Sequence, residues 1–298
     1  MYKLFSDSGC DFTQTEAEKL NVGVVPFYIA FDGKTFFKEG IDISNQDYFT
    51  RLTSDSTLRP KTSQPSPQDY VDKFTPFLEK GQDILYLSIS SKLSGSHASA
   101  TIAADMLKDE YPGHTVKIVD SKSACIGQGL ILREIVKMRD AGCSLNETIQ
   151  LAQQVIKSTC VYFTLDTLEY LKRGGRVGSA AALVGGILGI RPILQVENGQ
   201  VTPFEKVRSK ARATKLMEEV MTKAISGQEE NLSVCMGHIR SRSEAEDFMT
   251  NIESALGIEI SNPIVDVGAA IGTHAGPGAL AFAYCRKYDA FGELAKVA

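Results

Sequence analysis

The chain has 298 residues, of which 43% are hydrophobic and 23% are charged, and its formal net charge is −4. This length allows two domains, and the acidic balance gives no electrostatic basis for binding nucleic acid. No uncharged apolar run reaches the roughly 18 residues that a membrane-spanning helix needs, and the first residues lack the pattern of a secretory signal. We therefore expect a globular protein in the cytoplasm.

The cysteines and histidines are not spaced as ligands of a metal ion. Six cysteines are scattered along the chain without a Cys-x-x-Cys pair, and the four histidines are equally dispersed. We therefore expect reduced thiols and no metal site. The sequence also lacks a P-loop, a Gly-x-Gly-x-x-Gly turn after a strand and a His-Glu-x-x-His motif, so we expect no resident cofactor.

The first half of the chain alternates between predicted strands and predicted helices. Short runs of β-branched, aromatic and aliphatic residues predict the strands, and serine or threonine caps predict the helix starts. The predicted strands cover residues 2–5, 24–31, 34–38, 84–87 and 115–119. The predicted helices cover residues 14–20, 67–79, 127–139 and 145–157, with a further helix ending near residue 52. This alternation predicts an α/β fold with a mostly parallel sheet covered on both faces.

From about residue 160 the pattern predicts a mixed sheet. Asn198-Gly199 is a strong hairpin turn between residues 192–197 and 200–204, as is Asp32-Gly33 in the first half. The remaining predicted strands cover residues 161–165, 232–239, 263–267 and 279–284, and the predicted helices cover residues 211–224 and 243–256. We therefore divide the chain into an N-terminal α/β domain, residues 1–160, and a C-terminal α/β domain, residues 161–298.

Two glycine-rich segments of the second half are predicted to be loops. One is the basic run Leu-Lys-Arg-Gly-Gly-Arg-Val-Gly at residues 171–178, and the other is Ile-Gly-Thr-His-Ala-Gly-Pro-Gly at residues 271–278. Directly after the first loop, residues 179–190 are uncharged and rich in alanine and glycine. Their composition favours a core helix, and the alternative is one wall of a long apolar cavity.

The stretch from residue 84 to residue 97 combines a buried strand, a turn of small residues and the start of an amphipathic helix. Ser94 is a suitable N-cap, and the N–H groups of Gly95, Ser96 and His97 follow it at the positive end of the helix dipole. Such a strand–turn–helix unit can bind an anion. From these residues alone, an ordinary capped turn is the commoner interpretation.

Five segments carry small polar or basic groups suited to an anion. They are centred on Thr62, on Ser94, on Arg173 and Arg176, on Arg208 and on His274. His274 lies near glycines, where the backbone can approach a ligand and an imidazole can donate to an anion or pass a proton. Each group has a commoner role as a solvated surface residue. Asp7 and Asp120 follow predicted strands and are most simply explained as turn caps.

Together these segments resemble the DegV family of bacterial fatty-acid-binding proteins. The resemblance rests mainly on Thr-Ser-Gln-Pro at residues 62–65, Leu-Ser-Gly-Ser at 93–96, the segment 173–193 and Gly-Thr-His-Ala-Gly-Pro-Gly at 272–278. It also includes Asp7-Ser8, Val25-Pro26 and Asp120-Ser121, and it covers nearly the whole chain in the order of the family. Each motif alone is weak, whereas the set is specific.

The resemblance implies two α/β domains with a long-chain fatty acid buried in an apolar tunnel at their junction. It implies that the hydroxyl groups of Thr62 and Ser94 hold the carboxylate and that His274 faces the carboxylate or an acyl phosphate. The carboxylate-binding residues are then Thr62, Ser94, Gly95, Ser96 and His274.

Many members of this family are lipid-binding subunits of a two-component fatty acid kinase, and the resemblance implies the same role here. The chain then contributes no catalytic residue, and ATP and Mg²⁺ belong to the kinase partner. Arg173, Arg176 and Arg208 fall in the basic segments of the family, which implies that they contact the phosphate or the partner protein.

Three other functions stay open on the sequence. The first is a lipid carrier that works without a kinase. The second is a serine hydrolase with Ser94 as nucleophile and His274 as base, although the chain has no Gly-x-Ser-x-Gly elbow. The third is a self-sufficient phosphotransferase, against which the missing P-loop argues.

Overall fold

The computed structural model describes residues 2–183 and 191–295. Within these ranges it contains a four-stranded parallel sheet in the N-terminal part, a six-stranded mixed sheet in the C-terminal part and a small three-stranded sheet. The first two sheets confirm the predicted α/β fold class. None of the helices in the described ranges combines the length and the apolar character required to span a bilayer.

The N-terminal part contains the parallel sheet and six helices. Its strands are β1 (Tyr2–Asp7), β2 (Val22–Val25), β3 (Tyr28–Ala30), β4 (Phe36–Lys38), β5 (Lys61–Ser63), β6 (Asp83–Ser88) and β7 (Val116–Asp120). Its helices are α1 (Gln14–Lys19), α2 (Asn45–Ser54), α3 (Pro67–Leu78), α4 (Ser96–Glu110), α5 (Cys125–Asp140) and α6 (Leu145–Ser158). The parallel sheet has the order β2-β1-β6-β7.

The central strand β6 is buried because helices cover both faces of the parallel sheet. Tyr86 packs with Phe74 of α3 on one face, in a cluster that also includes α4. Leu85 and Leu87 point to the other face and pack with Leu130 of α5. This two-sided burial explains why the strand reads as a continuous apolar run, as buried parallel strands usually do.

Two helices, α3 and α6, start where their caps predict. The Ser66 hydroxyl accepts from the N–H of Asp69, and Ser144 accepts in the same way from Glu147, each as part of a complete capping box. A cap of this kind is a local interaction and contributes about 1 kcal/mol. The predictions of α3 and α6 are confirmed for this reason.

One predicted strand, residues 24–31, is wrong, because the segment forms two strands in two different sheets. β2 pairs with β1 in the parallel sheet, whereas β3 pairs with β4 and β5 in the antiparallel three-stranded sheet. Pro26 lies between them and has no N–H for a ladder. The chain therefore changes sheet at this proline, and the predicted hairpin survives as the β3–β4 pair.

The C-terminal part contains the mixed sheet and four helices. Its strands are β8 (Cys160–Thr164), β9 (Arg191–Glu197), β10 (Gln200–Val207), β11 (Leu232–His238), β12 (Val265–Asp266) and β13 (Leu280–Arg286). Its helices are α7 (Glu169–Gly174), α8 (Lys210–Ile225), α9 (Arg242–Leu256) and α10 (Ala269–Ala275). The sheet order is β10-β9-β8-β13-β11-β12, and β9 and β10 form the predicted hairpin.

Both glycine-rich segments predicted as loops are partly helical. Residues 171–174 complete α7, and residues 271–275 complete α10. Glycine is a poor helix former, but here close packing overrides that preference. A Cβ on Gly174 would overlap the ring of His274, and one on Gly272 would lie 2.5 Å from Cζ of Phe49. These glycines therefore let the helices approach their neighbours.

Two further predictions are not tested. Of the stretch 179–190, residues up to 183 belong to a short 3₁₀ helix, Gly178–Leu183, and the others lie outside the described residues. The domain division at residues 160 and 161 also stays a prediction. One apolar core joins the two parts, because Leu130 of α5 belongs to the same cluster as Cys235 of β11 and Ala283 of β13.

Candidate functional site

A cavity lies against one face of the mixed sheet. Side chains alternate between the faces of a sheet, so every second residue of neighbouring strands reaches the cavity. The sheet residues that line it, including those directly beyond strand ends, are Val161, Phe163, Leu165, Val196, Val201, Gly237, Ile239, Ala279 and Ala281, and His238 of β11 also borders it. The alternate residues, such as Tyr162 and Phe282, pack on the opposite face with α8 and α9.

The N-terminal part and α10 form the opposite wall of the cavity. The residues on that side include Phe27, Ile89, Leu93, Ala124, Cys125, Ala270, Ile271 and Ala275. The cavity has a volume of about 130 Å³, whereas a single water needs roughly 10–15 Å³. Its walls are almost entirely carbon, so the space suits a slender apolar ligand rather than a chain of waters.

Polar groups gather where Thr62, Arg176 and His274 line the cavity. The hydroxyl of Thr62 and Nε2 of His274 are 2.8 Å apart and share a hydrogen bond. Nδ1 of His274 is buried and has no hydrogen-bond partner among the described residues. Arg176 donates from Nε to the carbonyl of Leu93 at 3.0 Å and from Nη1 to that of Gly174 at 2.5 Å. The three side chains come from β5, from the segment after α7 and from α10.

This cluster can receive an anion. Burial, and secondarily the positive charge of Arg176, lower the pKa of His274 to about 4. The imidazole is therefore neutral at pH 7 and keeps one N–H. The Thr62 hydroxyl and the neutral imidazole carry one hydrogen-bonding proton each, and their mutual hydrogen bond uses one of the two. A carboxylate placed here would find the other proton and the Arg176 guanidinium, which are the partners that make a buried carboxylate tolerable.

The structure places the residues of the 84–97 stretch differently from the prediction. The helix begins at Ser96 with Gly95 as its N-cap, so the predicted N-cap Ser94 is wrong by one residue. The Ser94 hydroxyl instead accepts from the N–H of Ser96 at 3.2 Å. Gly95 packs under the Gln64 side chain, which a Cβ there would overlap. From this turn it is Leu93 that lines the cavity.

The remaining predicted residues lie further from the cavity. The Ser96 hydroxyl is buried and donates to Asp7 at 3.2 Å. Arg173 is exposed and its guanidinium carbon lies 4.7 Å from the centre of the Tyr170 ring, while Arg208 is exposed between β10 and α8. Of the described residues that line the cavity, neither of these arginines is one. The hydrogen bond of His274 goes to Thr62 rather than to Ser94, so the pair that a hydrolase needs is not assembled.

Asp7 is a hub of buried hydrogen bonds, a role that the sequence did not reveal. Five donors reach its carboxylate at 2.7 to 3.2 Å. They are the N–H groups of Gly9 and Ile89, the hydroxyls of Tyr86 and Ser96 and the amide of Gln128. Burial raises the pKa of Asp7, and these hydrogen bonds oppose that shift. Asp120, in contrast, caps the turn of Ser91 and Lys122 as predicted.

Two more buried acids, Asp11 and Glu39, lie beside the start of α10. Asp11 Oδ1 accepts from the N–H of Gly268 at 2.8 Å, and Glu39 Oε1 accepts from that of Ala270 at 2.8 Å. Burial raises the pKa of Asp11 to about 8 and that of Glu39 to about 7. No sequence signal pointed to them, because each partner is more than 200 residues away. Across residues 2–183 and 191–295, no cluster of histidine, cysteine and acidic residues could hold a metal ion.

These acids should make the free energy of unfolding fall as the pH rises from 6.5 to 8. Their folded pKa values exceed the value near 4 of an unfolded carboxylic acid, so the folded state binds protons more tightly. The contribution of these two acids to the free energy of unfolding is therefore largest at low pH, and it is lost as the pH rises through 7 and 8. The pKa of His274 is lowered to about 4, so this residue makes the free energy of unfolding rise with pH. It does so only below about pH 6.5, where an unfolded histidine takes up a proton.

Urea unfolding at pH 6.5 and pH 8 measures this effect, and we expect a loss of about 2 kcal/mol. The Asp11→Asn variant should show a flatter dependence, because it removes the acid with the higher folded pKa. A wild-type stability that stays constant or rises across this interval contradicts the prediction.

Comparison with known proteins agrees with the family resemblance of the sequence motifs. The family model of DegV proteins matches residues 1–287. A DegV domain-containing protein of Clostridium acetobutylicum is 32% identical over 286 residues, which cover 95% of this chain and 96% of the relative.

Structures of similar proteins agree over the same length. A stearic-acid-binding protein from Eubacterium ventriosum superposes with a TM-score of 0.92 at 31% identity, over 97% of this chain and 99% of that one. A DegV family protein from Thermus thermophilus, described by its fatty acid binding, gives a TM-score of 0.86 at 28% identity, over 96% and 99%. Both neighbours are thus proteins described as binding fatty acids.

Proposed function

This chain belongs to the DegV family, and from that premise we propose that it binds one long-chain fatty acid. The acyl chain lies in the cavity on the mixed sheet, and the carboxylate lies at the end marked by Thr62 and His274, with Ser94, Gly95 and Ser96 on the adjacent turn. The observation that carries the proposal is an apolar cavity that ends in a hydroxyl–imidazole pair beside an arginine. The fatty-acid-binding neighbours support the same ligand class.

The energetics favour such a ligand. Burial of each methylene group contributes about 0.8 kcal/mol, so the apolar walls supply most of the affinity. Moving a carboxylate from water into a site that offers no hydrogen-bond partners costs several kcal/mol. Thr62, His274 and Arg176 offer the hydrogen bonds that offset this cost, and they therefore fix which end of the ligand lies where.

Native mass spectrometry, followed by extraction of the denatured protein, tests this proposal. We expect one fatty acid of the expression host to copurify with each chain, and added palmitate or oleate to bind to protein that has been stripped of lipid. A ligand-free protein that also fails to bind both acids contradicts the proposal.

The Thr62→Val variant should bind oleate about 10-fold to 100-fold more weakly than the wild type. Valine keeps the shape of threonine but removes the hydroxyl, and a hydrogen bond to a charged group contributes about 1.5–3 kcal/mol. Calorimetric titration with oleate measures the effect. Thr101→Val is the matched control, because the Thr101 hydroxyl is exposed on α4 and bonds to its own helix at His97. Equal affinities of the two variants would count against Thr62 as a carboxylate ligand.

We further propose that the bound fatty acid is presented to a separate ATP-dependent kinase subunit, which phosphorylates the carboxylate. Arg173, Arg176 and Arg208 then contact the phosphate or the partner, and ATP and Mg²⁺ belong to the partner. Support comes from the position of Arg176 beside His274 and from the exposure of all three arginines. Phosphoryl transfer needs mainly positioning and positive charge, which such a division of labour provides.

Isothermal titration of the purified chain with Mg–ATP tests this division of labour. We expect no binding, because the sequence has no P-loop. Tight binding of ATP, or formation of ADP when oleate is added to the chain alone, would indicate a self-sufficient phosphotransferase instead.

A further inference from the structure

The start of α10 is held by side chains from the distant N-terminal part. The first N–H groups of any helix lack partners within the helix, and Gly268 at the N-cap has no side chain to supply one. The N–H of Ala269 donates to the side-chain oxygen of Asn45 at 3.1 Å. The N–H groups on either side of it, those of Gly268 and Ala270, donate to Asp11 and Glu39.

The other end of the same helix carries the imidazole of the candidate site. His274 is in the last turn of α10 and bonds to Thr62, and the hydroxyl of the preceding Thr273 lies 2.8 Å from that of Tyr48. α10 has only seven residues. A shift at its start is therefore carried to His274, because a helix is stiff over two turns.

Glu39 is itself fixed from both sides. Its Oε2 accepts from the Ser8 hydroxyl at 2.5 Å, and the Ser8 oxygen in turn accepts from the N–H of Phe27 at 2.9 Å. Phe27 lines the cavity. A chain of hydrogen bonds thus runs from the cavity wall through Ser8 and Glu39 to the start of α10.

Acidic side chains at the start of α10 are energetically unfavourable, and capping of the helix alone does not need them. A neutral side chain caps a helix well, as Asn45 does at Ala269. Asp11 and Glu39 are 8% and 7% exposed, and burial of a carboxyl group is unfavourable. Both also crowd Gly268, where a Cβ would lie 2.9 Å and 2.6 Å from their oxygens. Costly local choices of this kind occur where function requires a fixed geometry.

We propose that Glu39 is a positioning residue, which sets the place of α10 so that the His274 imidazole meets Thr62 and the ligand carboxylate. This inference rests on the proposed binding of a fatty acid at His274. Glu39 does not touch the ligand itself; it acts on the carboxylate through α10.

The test compares the dissociation constants of oleate and methyl oleate for four proteins, which are the wild type, Glu39→Ala, His274→Ala and the double variant. Methyl oleate has the same chain but no charged head group. We expect Glu39→Ala to weaken the binding of oleate about 10-fold and the binding of methyl oleate less than twofold. In the His274→Ala background, the same change should weaken oleate by less than twofold, because the group that it positions is already gone.

Two further variants separate positioning from general stability. Glu39→Gln keeps an oxygen for the N–H of Ala270 but loses the second oxygen that accepts from Ser8, so its affinity for oleate should lie between those of the wild type and Glu39→Ala. Glu110→Ala removes an exposed glutamate at the end of α4, far from α10 in the chain, and should leave both affinities unchanged. Thermal unfolding of each variant shows that the titrations are made on folded protein.

The outcomes are distinguishable. If the wild type does not bind oleate, the proposed function fails. If the wild type binds oleate, and Glu39→Ala either leaves its affinity unchanged, weakens both ligands equally or adds fully to His274→Ala, then Glu39 has only a structural role and the inference is overturned.

Discussion

Replacing Ala281 with phenylalanine should weaken the binding of oleate by roughly 50-fold. Ala281 is on the central strand β13, in register with Phe163 on one side and Gly237 on the other, and it faces the cavity. A phenyl ring at this position would fill space that we assign to about three methylene groups of the ligand. Losing their burial costs about 2.4 kcal/mol, and each 1.4 kcal/mol is about tenfold in affinity.

A control variant makes the same change, from alanine to phenylalanine, at an exposed position. Ala98→Phe on α4 adds the same ring outside the cavity, and its affinity should equal that of the wild type. Ala281→Phe should lower the affinity for fatty acids with ten carbon atoms much less than the affinity for oleate, since a shorter chain leaves room for the ring. A folded Ala281→Phe protein with the oleate affinity of the wild type would show that the acyl chain lies elsewhere.

Replacing Asp7 with alanine should lower the free energy of unfolding by about 3–5 kcal/mol. The carboxylate is buried and receives five hydrogen bonds. Alanine leaves all five donors without their acceptor, and an unsatisfied buried polar group costs about 1–3 kcal/mol. The donors can form new bonds in part, so the total is smaller than the sum. Urea unfolding at pH 7 measures this loss.

Asp120→Ala is the matched control, because Asp120 is also an aspartate at the end of a parallel strand. Its carboxylate bonds to Ser91 and Lys122 on the surface, so its removal should cost less than about 1 kcal/mol, as for most exposed sites. Similar losses for the two variants would mean that Asp7 is an ordinary turn cap. A difference of several kcal/mol identifies it as the residue that joins β1, β6, α4 and α5.

The parts of the fold that the sequence predicted depend on local interactions. The N-cap at Ser66, the capping box at Ser144 and the Asn198-Gly199 turn act within four residues of chain, so their signals are complete in the sequence. The alternation of strands and helices likewise predicted the parallel sheet. In each case the residues that form the structure are also the residues that carry the pattern.

The parts that the sequence did not predict depend on distant contacts. The helix α10 was predicted to be a loop because of its glycines, yet Gly272 is required by Phe49, more than 200 residues away. Asp11 and Glu39 gave no signal for the same reason. Thr62 and His274 were both predicted as ligands of one anion, but their mutual hydrogen bond could only be found in the folded chain.

The mixed sheet separates two sets of side chains along the same strands. On β8, Val161 and Phe163 face the cavity, whereas Tyr162 between them belongs to the core with α8 and α9. Val161 also packs in the core cluster of α5, so selection for a new acyl chain can act on Phe163 with less effect on stability than on Val161. We expect a library restricted to residues 163, 279 and 281 to yield lipid preferences that diverge while the layer packed by α8 and α9 is inherited unchanged.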